Sequence, residues 1–159
     1  MNKMSDAVEN TIYRIVVFTL DEEKYALPLS SVNRVIHRVD IRKLPGAPGT
    51  VSGIINFHGQ IIPVFDIRKK MGIPEKETDI NDRIIISDTG KRKAALIADT
   101  VSEIRESDHE PGKPVTDLLL NSKQIKGTTK FEDGIILIYD LENFLSPDEE
   151  DELEKALKS

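Results

Sequence analysis

The sequence contains no cysteine and no tryptophan, and only 5% of its 159 residues are aromatic. Without cysteine the chain can form neither a disulfide nor a thiolate metal site. Because aromatic residues are scarce, we expect a mostly aliphatic core, and the valine and isoleucine that supply much of it favour strands. The polar residues 1–11 predict no signal peptide, and no apolar run approaches the roughly 18 residues of a membrane span. We therefore expect a cytoplasmic protein with no direct membrane insertion.

Positive charge is also in short supply, because 22 basic residues stand against 28 acidic ones and give a net charge of −6. Nucleic-acid binding needs a concentrated basic surface, so a nucleic-acid partner is not expected. Two local basic runs, at 68–70 and 91–93, fall where a turn or a short helix is expected. A solvated surface is the simpler interpretation of both.

Apolar runs separated by polar turns predict a mainly β protein. Four hairpins are expected, with paired runs at 13–20 and 24–29, 51–57 and 60–65, 83–87 and 93–98, and 125–131 and 135–139. A short strand or bulged connection is expected at 30–38, a short helix or turn at 66–71, a polar linker at 75–82, and loops at 44–49 and 105–114.

The tail 147–159 predicts a short, acidic and exposed helix over 148–158. Ser146, Pro147 and Glu149 stand in the order typical of a helix start, with serine at the N-cap, proline at N1 and glutamate at N3.

The chain repeats itself in register. A shift of 69 aligns Arg14 with Arg83, Ala26 with Ala95, Leu27 with Leu96, Val32 with Val101 and Val35 with Ile104. A shift of 74 aligns Gly53 with Gly127, Phe57 with Phe131, Ile61 with Ile135, Ile62 with Ile136 and Asp66 with Asp140. Two unrelated β segments would explain the aliphatic matches but not those of glycine, phenylalanine and aspartate. We predict two small five-stranded barrels, at roughly 14–72 and 83–145 with possible strand exchange, and a groove between them suited to binding.

One motif points to catalysis, because Asp88-Thr89-Gly90 is the tripeptide of aspartic proteases. Those enzymes use two carboxylates that share a proton, whereas the first half offers Thr19-Leu20-Asp21 at the matching place. Aspartate and glycine between apolar runs are ordinary hairpin-turn residues, so a turn is predicted. A small β-barrel hydrolase, such as a divergent aspartic protease, is the alternative from a different functional class.

Metal and acid–base sites are not predicted either. His37, His58 and His109 lie in separate segments without the short spacing typical of a metal site, and no cofactor is expected. Asp66 and Asp140 each follow a predicted strand, so capping of the next turn is preferred over a paired acid–base role.

Taken in order, several segments resemble the CheW family: residues 20–32, Leu44-Pro45, the run from Gly53 to Arg68, and a later run from Gly127 through Asp133-Gly134 to Leu141. The resemblance covers about residues 11–146. It implies two intertwined five-stranded SH3-like barrels and a non-enzymatic adaptor. Such an adaptor couples the cytoplasmic tip of a chemoreceptor (a methyl-accepting chemotaxis protein) to the regulatory domain of a CheA-type histidine kinase.

The resemblance also implies binding residues. Candidates for the receptor-binding groove are Val32, Arg34, Gly53, Asn56, His58, Ala95, Val101 and Ile104, and candidates for kinase binding are Ile41, Arg42 and Leu44. An apolar strip with small residues such as glycine and alanine would let a helical hairpin approach closely. The alternative for Val101 and Ile104 is a place in the core.

Two positions depart from the family pattern. The family usually has Asn-x-Arg-Gly where this chain has Asn56-Phe57-His58-Gly59, and an acidic residue where Arg34 stands. Loss of an acid and a base at positions that can face each other predicts an altered set of partners, whereas neutral drift on an exposed rim is the alternative. An adaptor of a non-motility pathway and a small-ligand sensor that uses the groove also remain open.

Overall fold

The fold is mainly β, as predicted. The computed structural model describes residues 13–107, 125–131, 134–139 and 141–158. In this part of the chain the strands are β1 Tyr13–Leu20, β2 Glu23–Pro28, β3 Val32–His37, β4 Val51–Phe57, β5 Gln60–Phe65, β6 Arg83–Asp88, β7 Lys93–Ala98, β8 Thr100–Ser107, β9 Ile125–Phe131 and β10 Gly134–Tyr139. The helices are α1 Ile67–Met71 and α2 Pro147–Lys158, and a 3₁₀ turn, Leu29–Ser31, leads into β3.

All four predicted hairpins are confirmed by antiparallel pairing. The β1–β2 and β4–β5 turns are tight, because Asp21, Glu22, His58 and Gly59 all have positive φ. Two such residues in succession give a turn whose twist matches that of the flanking strands. The loop predicted to begin at residue 105 is wrong in its first three residues, since β8 continues to Ser107 alongside β1. The rest of that predicted loop lies outside the described residues.

The described strands form two five-stranded sheets. The first has the order β8-β1-β2-β10-β9 and the second β3-β6-β7-β5-β4. Under the repeat, β1–β5 correspond to β6–β10, and replacing each strand by its equivalent converts one order into the other. Even the parallel contacts correspond, because Ala26 pairs with Ile138 and Ala95 with Val64. Each sheet therefore takes two strands from one half of the chain and three from the other.

The largest apolar cluster lies between the two sheets. It includes Phe18 and Leu27 from the first sheet with Phe65 and Leu96 from the second. Phe65 also stacks on Phe144, with ring centroids 4.8 Å apart and planes 11° apart. Burying each such side chain contributes about 1.5–3 kcal/mol, so this shared cluster joins the sheets into one folding unit. A second cluster, around Ile62 and Ile84, lies within the second sheet, and a third, around Ile15 and Ile136, within the first.

The C-terminal helix begins as the sequence predicts. The Glu149 N–H donates to Ser146 Oγ at 3.2 Å, and the Ser146 N–H donates to Glu149 Oε1 at 3.0 Å, which is a capping box. Most residues of this helix are exposed, as predicted, but one side is not, because Leu153 is fully buried and Ala156 is 5% exposed. These two side chains, three residues apart, form one narrow apolar face within an acidic sequence. Within the described residues, neither helix is long and apolar enough to cross a membrane.

Candidate partner-binding surface

The two edge strands of the second sheet approach each other at Arg34, Phe57 and His58. Arg34 lies on β3 and Phe57 ends β4, which are opposite edges of that sheet. Nevertheless, the guanidinium carbon of Arg34 lies 5.1 Å from the centroid of the Phe57 ring. The His58 ring meets Phe57 edge-on, with centroids 4.2 Å apart and planes 70° apart. Both residues that depart from the family pattern thus contact the same phenylalanine, and both are exposed.

The turn after β4 fixes this arrangement. His58 has a φ of 52°, which places its side chain on a left-handed residue at the tip of the hairpin. The Gly59 N–H donates to Asn56 Oδ1 at 2.9 Å, so Asn56 closes the turn with its own side chain. Asn56 is exposed, but its carbonyl oxygen is engaged within the hairpin.

Val32 and Val101 are equivalent under the repeat, and both pack partly buried against the cluster between the sheets. Val35 and Ile104 are also equivalent under the repeat, but their side chains face outward, since Val35 is 40% and Ile104 is 58% exposed. Large aliphatic side chains on the outer face of β3 and β8 can contact a partner. The structure therefore gives Val32 and Val101 a share in the core and leaves Ile104 on the surface.

Gly53 and Ala95 are buried, so the geometry gives them no place on the surface of a groove. A Cβ atom at Gly53 would lie 2.3 Å from the Arg42 carbonyl oxygen and 2.9 Å from Ile41 Cγ2. The space beside Gly53 is therefore filled by the chain itself rather than left open for a partner helix. Ala95 lies on β7, inside the second sheet, beside Val64.

The kinase-binding candidates lie in the connection between β3 and β4. Arg42 and Ile54 exchange two backbone hydrogen bonds, of 2.9 and 2.7 Å, which hold this connection against the edge of β4. Ile41 packs on the cluster within the second sheet and Leu44 on the cluster between the sheets. Arg42 is exposed. The side chains of these three residues therefore point to three different environments, and of the three only Arg42 is exposed.

An ion-pair network that sequence analysis did not predict ties four segments together. Arg68 contacts Asp21 at 2.9 Å and Asp99 at 2.9 Å, and Lys76 contacts Asp99 at 3.2 Å and Asp82 at 3.5 Å. The five residues come from the β1–β2 turn, α1, the 75–82 linker and the β7–β8 connection. No local pattern marks such a network, because its members are far apart in the sequence.

The network stabilises the charged state of its members. Burial raises the pKa of Asp99, but hydrogen bonds from the Asp21 N–H, Arg68 and Lys76 outweigh burial, and the net pKa is lowered. Burial lowers the pKa of Arg68, whereas its contacts with Asp21 and Asp99 raise it overall. A cleft of about 240 Å³ adjoins these groups and is also lined by Phe65 and Ile97. Four of its charged residues, Arg68, Lys76, Asp82 and Asp99, already pair with one another, which does not favour a small-ligand sensor.

The residues that resemble catalytic groups have structural roles. In the β6–β7 turn, the Gly90 N–H donates to Asp88 Oδ1 at 2.8 Å, which confirms a turn at the Asp88-Thr89-Gly90 tripeptide. Asp66 caps α1, since it accepts from the Lys69 N–H at 3.0 Å, whereas Asp140 lies outside the described residues. The described residues hold no group of histidine and acidic side chains that could bind a metal, and His109 falls outside them.

Comparison of the sequence and the fold with known proteins identifies the family of this chain. Residues 14–149 match the model of the CheW-like domain. The chain is 23% identical to the chemotaxis protein CheW of Klebsiella aerogenes over 155 residues, covering 96% of this chain and 93% of the relative. It is 26% identical to the CheW of Thermotoga maritima over 147 residues, covering 91% and 94%. The crystal structure of the scaffolding protein TtCheW from Thermoanaerobacter tengcongensis superposes with a TM-score of 0.74 at 37% identity, covering 87% of this chain and 91% of that one. The chain belongs to the CheW-like family.

Proposed function

We propose that the protein is a non-enzymatic adaptor that couples chemoreceptors to a CheA-type histidine kinase in chemosensory signalling. The observation that carries this proposal is the match to the CheW-like domain over residues 14–149, nearly the whole chain. The duplicated sheets agree with that match, since the solved relative with the same fold is a scaffolding protein. A cytoplasmic location follows from this function.

The roles of the polar residues support an adaptor rather than a hydrolase. Asp66 is used in a helix cap, Asp88 in a turn, and Asp99 in an ion pair with Arg68. A protease site would need two such carboxylates facing each other and free to share a proton. A protein partner needs instead exposed apolar and cationic side chains, and Ile104 and Arg34 supply them.

Two partners are proposed. One is the cytoplasmic tip of a chemoreceptor, for which the exposed candidates are Arg34, His58 and Ile104, with Asn56 beside them. The other is the regulatory domain of the kinase, for which Arg42 is the exposed member of the candidate loop. Output through motility and output through another chemosensory pathway use the same contacts, so both remain predictions.

The test is co-sedimentation of the intact chain with the CheA-type kinase of its own genome, with and without a soluble cytoplasmic receptor fragment. We expect the chain to bind the kinase and to recruit the receptor fragment into a ternary complex. A chain that binds neither the kinase nor the receptor fragment would contradict the proposed function.

A matched pair of substitutions localises the receptor contact. Ile104→Asp should weaken receptor binding by at least about tenfold, because a carboxylate in an apolar contact is costly to desolvate. Ile80→Asp is the control, because Ile80 is also exposed (81%, against 58% for Ile104) and lies in the linker between the halves. Equal binding by the two variants would remove Ile104 from the interface.

A further inference from the structure

Residues 34–43 form a locally basic surface on an acidic protein. They carry Arg34, His37, Arg38, Arg42 and Lys43, which we call the basic strip, and all five side chains are exposed. Asp40 is the one acidic residue in this segment, whereas the whole chain has a net charge of −6. A concentration of cations against the overall charge calls for a specific explanation.

Three little-exposed cations outside the strip are used in ion pairs. Arg68 contacts Asp99 at 2.9 Å, Lys70 contacts Glu149 at 3.1 Å, and Arg92 contacts Glu150 at 2.8 Å. These cationic side chains are only 13–16% exposed. In contrast, Arg38, Arg42 and Lys43 form no ion pair with any residue that the structure describes. Their charge is therefore available to a partner.

Strand β4 sets the spacing along the strip. Arg34 lies over Phe57, and the backbone of Arg42 bridges to Ile54, three residues earlier on the same strand. Three residues of a strand span about 10 Å. This distance is close to the Debye length of about 8–10 Å at physiological salt, so the charges of the strip act together on a partner.

The same spacing is that of two turns of an α-helix. Carboxylates on one face of a helix, at i, i+4 and i+7, are separated by about 6 and 10 Å along the axis. A polyanion such as nucleic acid fits less well, because the surrounding acidic surface would repel its extended charge. The same segment includes Val35, which is 40% exposed and offers a helix an apolar contact.

We propose that the basic strip docks an acidic face of the chemoreceptor's helical tip, an inference that rests on the proposed function. The strip supplies the electrostatic part of receptor binding, and the departure from the family at Arg34 extends it by one cation. Arg42 thus belongs both to the basic strip and to the kinase-binding candidates, which are Ile41, Arg42 and Leu44.

The test compares two double substitutions with the same change in net charge. Arg38→Glu with Lys43→Glu reverses two charges of the strip and leaves the kinase candidate Arg42 in place, whereas Lys69→Glu with Lys91→Glu reverses two exposed lysines on α1 and in the β6–β7 turn. Each intact variant is titrated with a soluble receptor fragment and, separately, with the kinase regulatory domain, at about 50 and 300 mM salt. Thermal unfolding by circular dichroism establishes that both variants are folded.

We expect the strip variant to bind the receptor fragment at least about tenfold more weakly at low salt, with a smaller deficit at high salt. The control variant should bind within about twofold of wild type, and kinase binding should change little in either. Equal receptor binding by the strip and control variants would overturn the inference and leave the proposed function intact. Loss of kinase binding alone would assign the strip to the kinase instead. A wild-type chain that binds neither partner would overturn the proposed function and the inference together.

Discussion

Nη2 of Arg68 donates to both carboxylate oxygens of Asp99, at 3.0 and 2.9 Å, although the two residues are 31 positions apart. Their side chains are 13% and 19% exposed. The pair connects α1, in the first half of the chain, to the β7–β8 connection in the second. It therefore fastens the halves together across the cleft that both of them line.

Asp99→Asn should destabilise the protein by about 1–3 kcal/mol, because it leaves the little-exposed Arg68 charge with weaker compensation. Chemical denaturation with urea measures the loss. Glu106→Gln is the control, since Glu106 meets Arg14 at 3.4 Å in a pair whose side chains are 57% and 61% exposed. Exposed pairs contribute about 0–1 kcal/mol, so equal losses in the two variants would contradict a structural role for Asp99.

Stability should depend on pH through Glu149. Burial alone raises the pKa of this carboxyl, but hydrogen bonds from the Ser146 N–H, Thr50 and Lys70 outweigh burial and lower the pKa to about 2. A lowered folded-state pKa gives stability that is complete above the ordinary pKa of about 4.5 and is lost as the pH falls toward 2. The shift corresponds to about 3 kcal/mol.

Glu149→Gln removes that contribution. The difference in unfolding free energy between wild type and Glu149→Gln should be largest above about pH 5 and should vanish near pH 2. Urea titrations across this range measure it. Glu152→Gln, on the exposed side of α2, should follow the wild-type curve. A Glu149→Gln deficit that does not change between pH 7 and pH 2 would show that the hydrogen-bonded charge is not its source.

Gly53→Ala should destabilise the protein by about 2 kcal/mol or more. The new methyl group would lie 2.3 Å from the Arg42 carbonyl oxygen, so the bridge between Arg42 and Ile54 must separate. Gly49→Ala is the matched control, because there the nearest atom is the flexible Lys69 Nζ at 3.2 Å. Thermal unfolding of both variants gives the comparison, and equal melting temperatures would contradict the close approach.

Restoring the family pattern at positions 34 and 58 tests the hypothesis of an altered set of partners. Arg34→Glu with His58→Arg should weaken binding to the chain's own receptor, because it removes one cation of the basic strip and the contact of Arg34 with Phe57. Stability should change by about 1 kcal/mol or less, since exposed cation–π contacts contribute about 0.5–1 kcal/mol. Titration with the receptor fragment measures the effect. Unchanged affinity would leave neutral drift as the explanation of both departures.

Local signals predicted the hairpins and the helix cap. Asp21-Glu22 and His58-Gly59 separate alternating apolar runs, and the Ser146–Glu149 spacing marks a capping box. These features depend on residues within a few positions of one another, and sequence patterns report such contacts directly. The repeat also anticipated that Val32 and Val101 occupy matching places.

The sequence pattern did not predict the contacts between distant segments. The acidic composition of α2 concealed the burial of Leu153 and Ala156, because two apolar residues do not make a visible stripe. The Arg68–Asp99 pair and the position of Gly53 against Arg42 depend on how distant segments meet. For that reason the small residues predicted to admit a partner helix turned out to be packed against their own chain.

The exchange of strands between the halves bears on how the fold arose. In this structure one repeat alone completes neither sheet, since each sheet has two strands of one repeat and three of the other. A single ancestral repeat could therefore have formed these same sheets as an entwined homodimer, with the symmetry of a two-fold axis. Joining two copies through the 75–82 segment made that association intramolecular, so that folding no longer depended on protein concentration. Once the copies were fused, each was free to diverge, and one could acquire a cationic surface that its twin did not need.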